Sequence, residues 1–448
     1  MTLDANQILA LAPDPASAKA GSQLAVAHQW SNLGKSDAAL WGECQGSGKT
    51  PYKTQIDLNG PAFKCTCPSR KFPCKHGLGL YLLSAADPAL FAAAAEPQWV
   101  GDWLSSRQAR QEKKADNAAA IAQDPAAVAA AAAQVRKREE KREDKVDSGM
   151  RELQTWLHDL AREGLAAVRS RGQAMWEGIA ARMADAQAAP LGRRLRRAGG
   201  LLYQSGLRDA DSLVANELAS IYLLTQAWQR LGQLPPALQA DVRALLGWTV
   251  SQDEVLRQPG IEGCWQVLAQ TTFDDDRLRV RATWIRGGLE ARWALLLQYA
   301  IGTQGFEQQL APGTEFDGEL CFYPSAYPLR AQLKRQENTR PLAGLASMPS
   351  DLDTLLDSYA GALAVQPFLE RHPVLLAGLV PDAADLRIVR DAGGRAIALH
   401  PDFRHPLHLL ALSGGHPLTL CGEWDGRTLL PLSVWHDGRL LNIDGDFA

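Results

Sequence analysis

Residues 64–83 read KCTCPSRKFPCKHGLGLYLL, and this stretch decides how the N-terminal part of the chain folds. Cys65, Cys67, Cys74 and His76 form the pattern Cys-x-Cys, a six-residue gap, then Cys-x-His. Side chains two residues apart on an extended segment face the same side, so each pair can approach one ion. Three thiolates and one imidazole make up a tetrahedral ligand set for zinc. We therefore predict one zinc ion bound by these four residues.

The same stretch favours a structural role for the metal over a catalytic one. Catalytic zinc keeps one exchangeable position, whereas three cysteines and one histidine fill all four positions. Pro68 and Pro73 stiffen the loop between the ligand pairs, which reduces the entropy lost when the loop closes. Apolar residues at helical spacing follow His76 as far as Leu83. The sequence therefore predicts a zinc knuckle that leads into a helix.

The residues around the ligands are basic, although the chain as a whole is not. A formal net charge of −3 argues against a protein that coats nucleic acid along its whole surface. Between residues 49 and 76, however, six lysines and arginines stand against one aspartate. The sequence does not choose between nucleic acid and protein as the partner of this basic loop. The residues that we predict to contact the partner are Lys64, Arg70, Lys71 and Lys75.

Length and composition indicate a folded protein with several domains. A chain of 448 residues exceeds what one hydrophobic core usually organises, which favours two to four domains. Residues 1–17 lack the basic start and unbroken apolar run of a signal peptide, and no apolar stretch is long enough for a membrane span. We therefore expect a cytoplasmic protein. A reducing compartment favours metal binding over disulfides for the clustered cysteines.

The order of sequence patterns predicts a multidomain α+β protein. Residues 1–100 combine short helices, a strand hairpin and the knuckle, which predicts a small ββα zinc-binding module with N-terminal helices. Residues 101–149 are rich in alanine and mixed charges, as in an exposed helical linker. Residues 150–258 have helical spacing throughout and predict a helical domain. Residues 259–448 predict an antiparallel β-rich domain with one or two helices.

Outside the cysteine cluster, no pattern points to catalysis. The sequence has no Ser-His-Asp order, no dinucleotide-binding glycine pattern and no His-Glu-x-x-His helix, so we name no catalytic residue and expect a binding protein. The competing interpretation is an enzyme with its active site in the β-rich C-terminal half and the zinc module as a recruiting domain. Four arginines within residues 193–197 fit either a phosphate contact or a solvated helix face paired with acids, and we favour the helix face.

Residues 48–83, GKTPYKTQIDLNGPAFKCTCPSRKFPCKHGLGLYLL, resemble the SWIM-type zinc finger, whose pattern is Cys-x-Cys, a variable gap, then Cys-x-His at the start of a helix. All four ligand positions match this pattern. The wider chain is similar to bacterial SWIM zinc finger proteins through LWGECQGSGKTPYK (40–53) and ARMADAQAAPLGRRLRR (181–197).

This resemblance implies a metal-dependent binding module that is linked in its relatives to DNA or to protein partners. It does not imply an enzyme. Relatives that accompany ATPase and VWA-type proteins also imply a third role, that of an assembly adaptor in a larger complex with such a partner.

Overall fold

The structure is a computed structural model that describes most of the chain. The described residues are 3–46, 50–59, 61–69, 71–107, 125–204, 209–275, 278–287, 290–301, 305–306, 308–345 and 351–443. Side chains are described in all of these ranges except at residues 125–136 and 166–167.

The N-terminal part is one sheet with helices on both faces. Its elements are α1 (Ala5–Ala10), α2 (Pro15–Leu24), β1 (Trp30–Lys35), β2 (Ala39–Cys44), β3 (Tyr52–Asp57), β4 (Ala62–Cys65), α3 (Lys75–Ala86), β5 (Ala92–Ala93) and α4 (residues 98–107). The strands lie in the order β4-β3-β2-β1-β5. Because side chains alternate along β2, Leu40 and Cys44 pack with α3, whereas Ala39 and Trp41 pack against Val100 of α4.

Helix α3 is the centre of this part of the molecule. The nine residues from His76 to Ser84 are all buried, because α1, α2 and the sheet surround the helix. A Cβ atom at Gly79 would lie 2.7 Å from Cβ of Leu24 and 3.2 Å from the carbonyl oxygen of Gly21. Glycine at this position therefore lets α2 and α3 cross at close range.

A helical bundle follows. It contains α5 (Pro125–Glu163), α6 (Leu165–Ser170), α7 (Ala174–Asp185), α8 (Ala189–Tyr203), α9 (Ala210–Gln229) and α10 (Pro236–Leu245). Its core includes the buried side chains of Leu153, Trp176, Leu195, Ile221 and Val242, one from each of the longer helices. The short helix α11 (Gln252–Leu256) then leads into the β-rich region.

Five strands next form a closed barrel in the order β10-β8-β7-β6-β9. They are β6 (Ile261–Asp275), β7 (Leu278–Gly287), β8 (Arg292–Ile301), β9 (Thr314–Phe322) and β10 (Arg330–Pro341). Trp265, Ile285, Leu296 and Phe316 fill its interior. The barrel closes through a parallel pairing in which Arg330 lies opposite Leu295.

The C-terminal residues form a six-stranded sheet in the order β13-β12-β11-β14-β15-β16. Its elements are α12 (Leu352–Val365), β11 (His372–Pro381), β12 (Ile388–Arg390), β13 (Ala396–Leu399), α13 (Pro406–Ser413), β14 (Leu418–Trp424), β15 (Thr428–His436) and β16 (Arg439–Asn442). Leu268 and Trp284 of the barrel share a hydrophobic cluster with Leu375, Cys421 and Leu432 of this sheet. The barrel and the sheet therefore have a common core.

Polar contacts reinforce this shared core. The Asn442 side chain donates to the carbonyl oxygen of Gln270 at 2.9 Å and accepts from the Gln270 amide at 3.3 Å. One side-chain amide thus satisfies both backbone groups of a barrel residue, as a neighbouring strand would do. The Ser433 hydroxyl donates to the carbonyl oxygen of Leu268 at 2.5 Å.

The zinc module and the bundle also contact the β-rich region. The Gln7 side chain donates to the carbonyl oxygen of Gly313 at 2.6 Å. Gly305 lies so close to Phe72, in the loop between the ligand pairs, that a Cβ atom there would be 2.4 Å from Cβ of Phe72. In the bundle, the Asp241 carboxylate accepts from the amide of Ala326 at 2.8 Å. The zinc loop is thus held by the barrel as well as by its own helices.

The predicted α+β fold class is confirmed, with three differences in detail. The N-terminal sheet has five strands where the sequence predicts two, because β4 and β5 are short and β1 lacks a regular alternation of apolar and polar residues. The helix α5 begins at Pro125, within the predicted linker, and continues to Glu163 in the predicted helical domain. In the predicted antiparallel region, the pairings β8–β10 and β13–β15 are parallel. Among the described residues, no helix is long and apolar enough to cross a membrane.

Candidate metal centre

The four predicted ligands come from the end of a strand, the loop after it and the start of a helix. Cys65 is the last residue of β4, and Cys67 follows in the loop. Cys74 directly precedes α3 with an extended backbone (φ −77°, ψ 165°), and His76 lies in the first turn of that helix. Because β4 and α3 pack into one hydrophobic core, the two ligand pairs are brought face to face.

The geometry of the four side chains fits a zinc ion. Their ligand atoms all lie within 4.8 Å of one another. Nδ1 of His76 is 3.8 Å from Sγ of Cys65 and 4.0 Å from Sγ of Cys74. Tetrahedral zinc with a metal–sulfur distance of about 2.3 Å places its ligand atoms about 3.8 Å apart. Within the part of the chain that the structure describes, no other group of three or more histidine, cysteine or acidic side chains meets this criterion.

Hydrogen bonds to the sulfur atoms favour the thiolate forms that bind metal. The amide of Cys67 donates to Cys65, and the amide of Ser69 donates to Cys67. The amide of Gly77, in the first turn of α3, donates to Cys74. Thr54 adds a contact of 3.2 Å between its hydroxyl oxygen and Sγ of Cys65. These donors stabilise negative charge before any metal binds.

The three thiols share their protons unequally. Hydrogen bonds with Cys74 lower the pKa of Cys65 to about 4 and that of Cys67 to about 6. The same bonds raise the pKa of Cys74. Burial lowers the pKa of His76, but hydrogen bonds with Cys65 and Cys67 outweigh it and raise the pKa above its usual value. A bound zinc ion would replace these shared protons, so binding releases protons.

A fifth cysteine lies near the cluster without belonging to it. Burial, and secondarily the negative charge of Cys65, raises the pKa of Cys44 to about 11. Cys44 is fully buried and faces the core around α3. It therefore stays a protonated, apolar side chain.

Aromatic rings pack around the centre. The Tyr52 ring lies 5.0 Å from the His76 ring, centroid to centroid. Phe63 meets Phe72 edge-on at 6.2 Å, which ties the zinc loop to β4. A Cβ atom at Gly77 would lie 2.9 Å from the Phe63 ring, so glycine allows the start of α3 to approach this ring.

The structure separates the residues that we predict to contact a partner. Lys71 and Lys75 lie on the side of the metal cluster, in a groove described below. Lys64 is exposed and lies opposite Gln55 in the sheet, so the two side chains are on the same face. The side chain of the next residue, Cys65, is on the other face. Arg70 lies outside the described residues. The four residues are therefore not one continuous patch of described side chains.

A groove of about 660 Å³ runs between α2 and the zinc loop. Ala16, Ala20 and Leu24 of α2 line one wall, and the other wall includes Tyr52, the two lysines and two ligands. Lys71 is held in an ion pair with Asp14 at 2.8 Å. Asp14 also caps α2 by accepting from the amide of Ser17 at 2.7 Å. The ion pair and the helix cap thus hold Lys71 and the start of α2 in place at one end of the groove.

The sequence predicts the ligands but not this groove. Asp14 followed by Pro15 does predict the start of α2. Nothing in the sequence indicates that α2 lies beside the zinc loop, because the two segments are far apart in the chain. For the same reason, the sequence does not indicate that Tyr52 lines the groove.

The arginine cluster of α8 pairs with acidic residues inside the bundle. Arg194 is 2.8 Å from Glu217, and Arg197 is 3.4 Å from the same carboxylate. Arg196 is 2.7 Å from Glu177. This arrangement agrees with the interpretation of the cluster as a paired helix face.

Comparison with known protein families matches two parts of the chain. The SWIM zinc finger model matches residues 52–84, which contain β3, β4 and all four ligands. The model of the SWIM-associated four-helix bundle domain matches residues 141–246, which cover most of the bundle. No curated protein and no solved structure matches the chain.

The family matches and the geometry agree on the metal. The spacing, the short distances between the ligand atoms and the zinc finger match together identify Cys65, Cys67, Cys74 and His76 as a cluster that binds one zinc ion. The chain therefore contains a SWIM zinc finger and a SWIM-associated four-helix bundle domain in one polypeptide.

Proposed function

We propose that this protein is a non-enzymatic adaptor whose zinc-stabilised module binds a segment of a partner protein in the groove beside α2. The observation that carries the proposal is the groove itself, about 660 Å³ in volume and bordered by small and apolar residues of α2. Zinc bound by four protein ligands has no open position for a reacting molecule. The metal would therefore shape the binding surface and take no part in chemistry.

The charges around the groove favour a protein partner over nucleic acid. Asp14 neutralises Lys71, so Lys75 is the groove lysine without a carboxylate partner among the described residues. Zinc with three thiolates and a neutral imidazole has a net charge of about −1. The local charge is therefore close to zero, whereas binding to a phosphate backbone requires several cations. We infer a partner segment with small or apolar side chains and a carboxylate for Lys75.

Affinity capture with groove variants tests this proposal. The bait is the full-length, zinc-loaded protein in extracts of its native cell. Ala16→Trp fills the groove from an exposed position of α2, and Ser22→Trp is its control on the same helix outside the groove. Lys75→Gln removes the groove charge, and Lys64→Gln removes a charge on the other face of the sheet. The zinc content of every variant is measured first.

We expect a partner that the wild type and both controls retain and that both groove variants lose at least tenfold. Such a partner also tests the prediction of an ATPase or VWA-type protein. A captured set that is the same for all variants would refute the groove as the binding site. Random-sequence DNA and RNA provide the opposing test at low salt. Binding that falls steeply with salt and disappears in Lys75→Gln would identify nucleic acid as the ligand instead.

A further inference from the structure

A second concave site lies where the barrel meets the C-terminal sheet. The cleft has a volume of about 430 Å³, and its lining residues all belong to the described part of the chain. The β7–β8 hairpin, the segment before β10, helix α12 and strand β11 all contribute to it. It shares no residue with the groove of the zinc module.

Arg286 brings an unneutralised positive charge to this cleft. Its side chain is half-buried, and its Nε donates to the carbonyl oxygen of Ala291 at 3.0 Å. Burial lowers the pKa of this guanidinium. No described carboxylate forms an ion pair with it, since Glu290, the acidic residue of the cleft, pairs with Arg292 at 3.1 Å. A partly desolvated cation without a counter-ion raises the energy of the folded state until an anion binds.

Several other arginines of the β-rich region have the carboxylate partner that Arg286 lacks, although the buried Arg281 is, like Arg286, in no ion pair with a described carboxylate. Arg371 is 2.6 Å from Glu423, and Arg340 is 2.7 Å from Glu315. These carboxylates neutralise their arginines, whereas the Arg286 guanidinium lines the cleft without an ion pair to a described carboxylate.

The inner end of the cleft is polar but uncharged. His372 is 3% exposed, and its Nδ1 has no hydrogen-bond partner among the described residues. Its Nε2 lies 3.2 Å from the Ser358 hydroxyl. The Tyr327 ring is 5.8 Å from the imidazole, and Trp293 lies 5.3 Å from the Arg286 guanidinium. Aromatic and polar side chains thus surround the one arginine of the cleft that forms no ion pair with a described carboxylate, as in sites that bind small anions.

We propose that this cleft binds a small molecule bearing a carboxylate or phosphate group, which Arg286 holds while the rest of the molecule lies against Trp293 and Tyr327. The guanidinium can donate two parallel hydrogen bonds to either oxyanion. The size of the cleft suits a metabolite and excludes a folded partner. This site is independent of the proposed function of the zinc module.

Titrations with phenyl phosphate, benzoate and benzyl alcohol test the proposal. Each probe has one aromatic ring, and only the first two carry an oxyanion. Ligand-observed saturation-transfer NMR on the zinc-loaded full-length protein gives the dissociation constants at constant ionic strength. We expect at least one anion to bind at least tenfold more tightly than the alcohol, because a charge-assisted hydrogen bond corresponds to a factor of about 10 or more. The tighter anion then identifies the group.

Substitutions at Arg286 complete the test. Arg286→Met should weaken anion binding at least tenfold and leave the alcohol unchanged, and Arg286→Lys should have an intermediate effect through its retained charge. Arg371→Met, which removes an arginine outside the cleft, should change affinity less than twofold. Circular dichroism establishes that each variant is folded. Equal affinity for all three probes, no binding of either anion, or anion binding that both Arg286 variants retain would overturn the proposal.

Discussion

Replacing one zinc ligand should loosen the knuckle and the start of α3 while the barrel stays folded. Cys67→Ser is the most informative change, because Cys67 is half-buried, in the loop, and serine fills nearly the same space. Structural zinc in finger peptides contributes about 10–16 kcal/mol, which is roughly 3 kcal/mol per ligand when divided evenly over four. A loss of about 3 kcal/mol corresponds to an approximately 100-fold weaker zinc affinity.

The loss of zinc should affect some segments more than others. The loop between β4 and α3 has few backbone hydrogen bonds of its own, whereas α3 has a large apolar core around it. We therefore expect hydrogen exchange to rise most in residues 65–76, less along the rest of α3, and not at all in β6 and β7. Competition with a chromophoric zinc chelator gives the affinity, and mass spectrometry of deuterated peptides gives the exchange.

Cys44→Ser is the matched control for this experiment. It changes a cysteine in the same module that is buried but not a ligand, so it should lower stability and leave zinc affinity within about threefold. Wild-type zinc affinity in Cys67→Ser, or equal exchange in residues 65–76 of both variants, would refute the assignment of the four ligands.

Three further predictions concern the rest of the molecule. Burial lowers the pKa of His372 to about 4. Between about pH 6.5 and pH 4, the histidine is therefore protonated in the unfolded state but neutral in the folded state, and the free energy of unfolding falls by up to about 3 kcal/mol as the pH is lowered. The difference in urea-unfolding free energy between wild type and His372→Gln should follow this slope, and parallel curves would contradict it. Glu217→Gln should lower the free energy of unfolding by about 2 kcal/mol, because it leaves Arg194 without its carboxylate partner. Amide hydrogen exchange in α8 and α9 should then be faster, whereas the double variant Glu217→Leu with Arg194→Met should restore protection from exchange. Asn442→Ala should lower the melting temperature of the β-rich region by exposing the Gln270 backbone groups, and an unchanged temperature would argue against this link.

Features that depend on residues close together in the chain could be predicted from the sequence. The ligands span residues 65–76, so spacing and residue type are sufficient to predict the metal. The long bundle helices follow from apolar periodicity for the same reason. The continuation of α5 from the linker into the bundle was not predicted, because an alanine-rich, charged segment has helical propensity without showing where the helix ends.

The two candidate binding sites could not be predicted from the sequence. The groove requires Ala16, on α2, to lie beside Tyr52 and Lys71. The cleft requires Arg286 of the barrel to face His372 of the next sheet. Each site is formed by segments that are distant in the chain, and no periodicity or motif indicates that such segments are in contact.

By itself, the sequence determined the metal, its four ligands and the order of helical and β-rich regions, because these depend on residue spacing over a few turns or strands. Only the tertiary structure decided that the zinc loop is held between α2 and the barrel, that Asp14 neutralises Lys71, and that Arg286 has no carboxylate among the described residues. Charge pairing and burial are properties of the surroundings of a side chain, and the packing of distant segments sets those surroundings. For residues 64–83, the sequence therefore predicts the zinc knuckle, and the fold around it decides which of its surfaces a partner can reach.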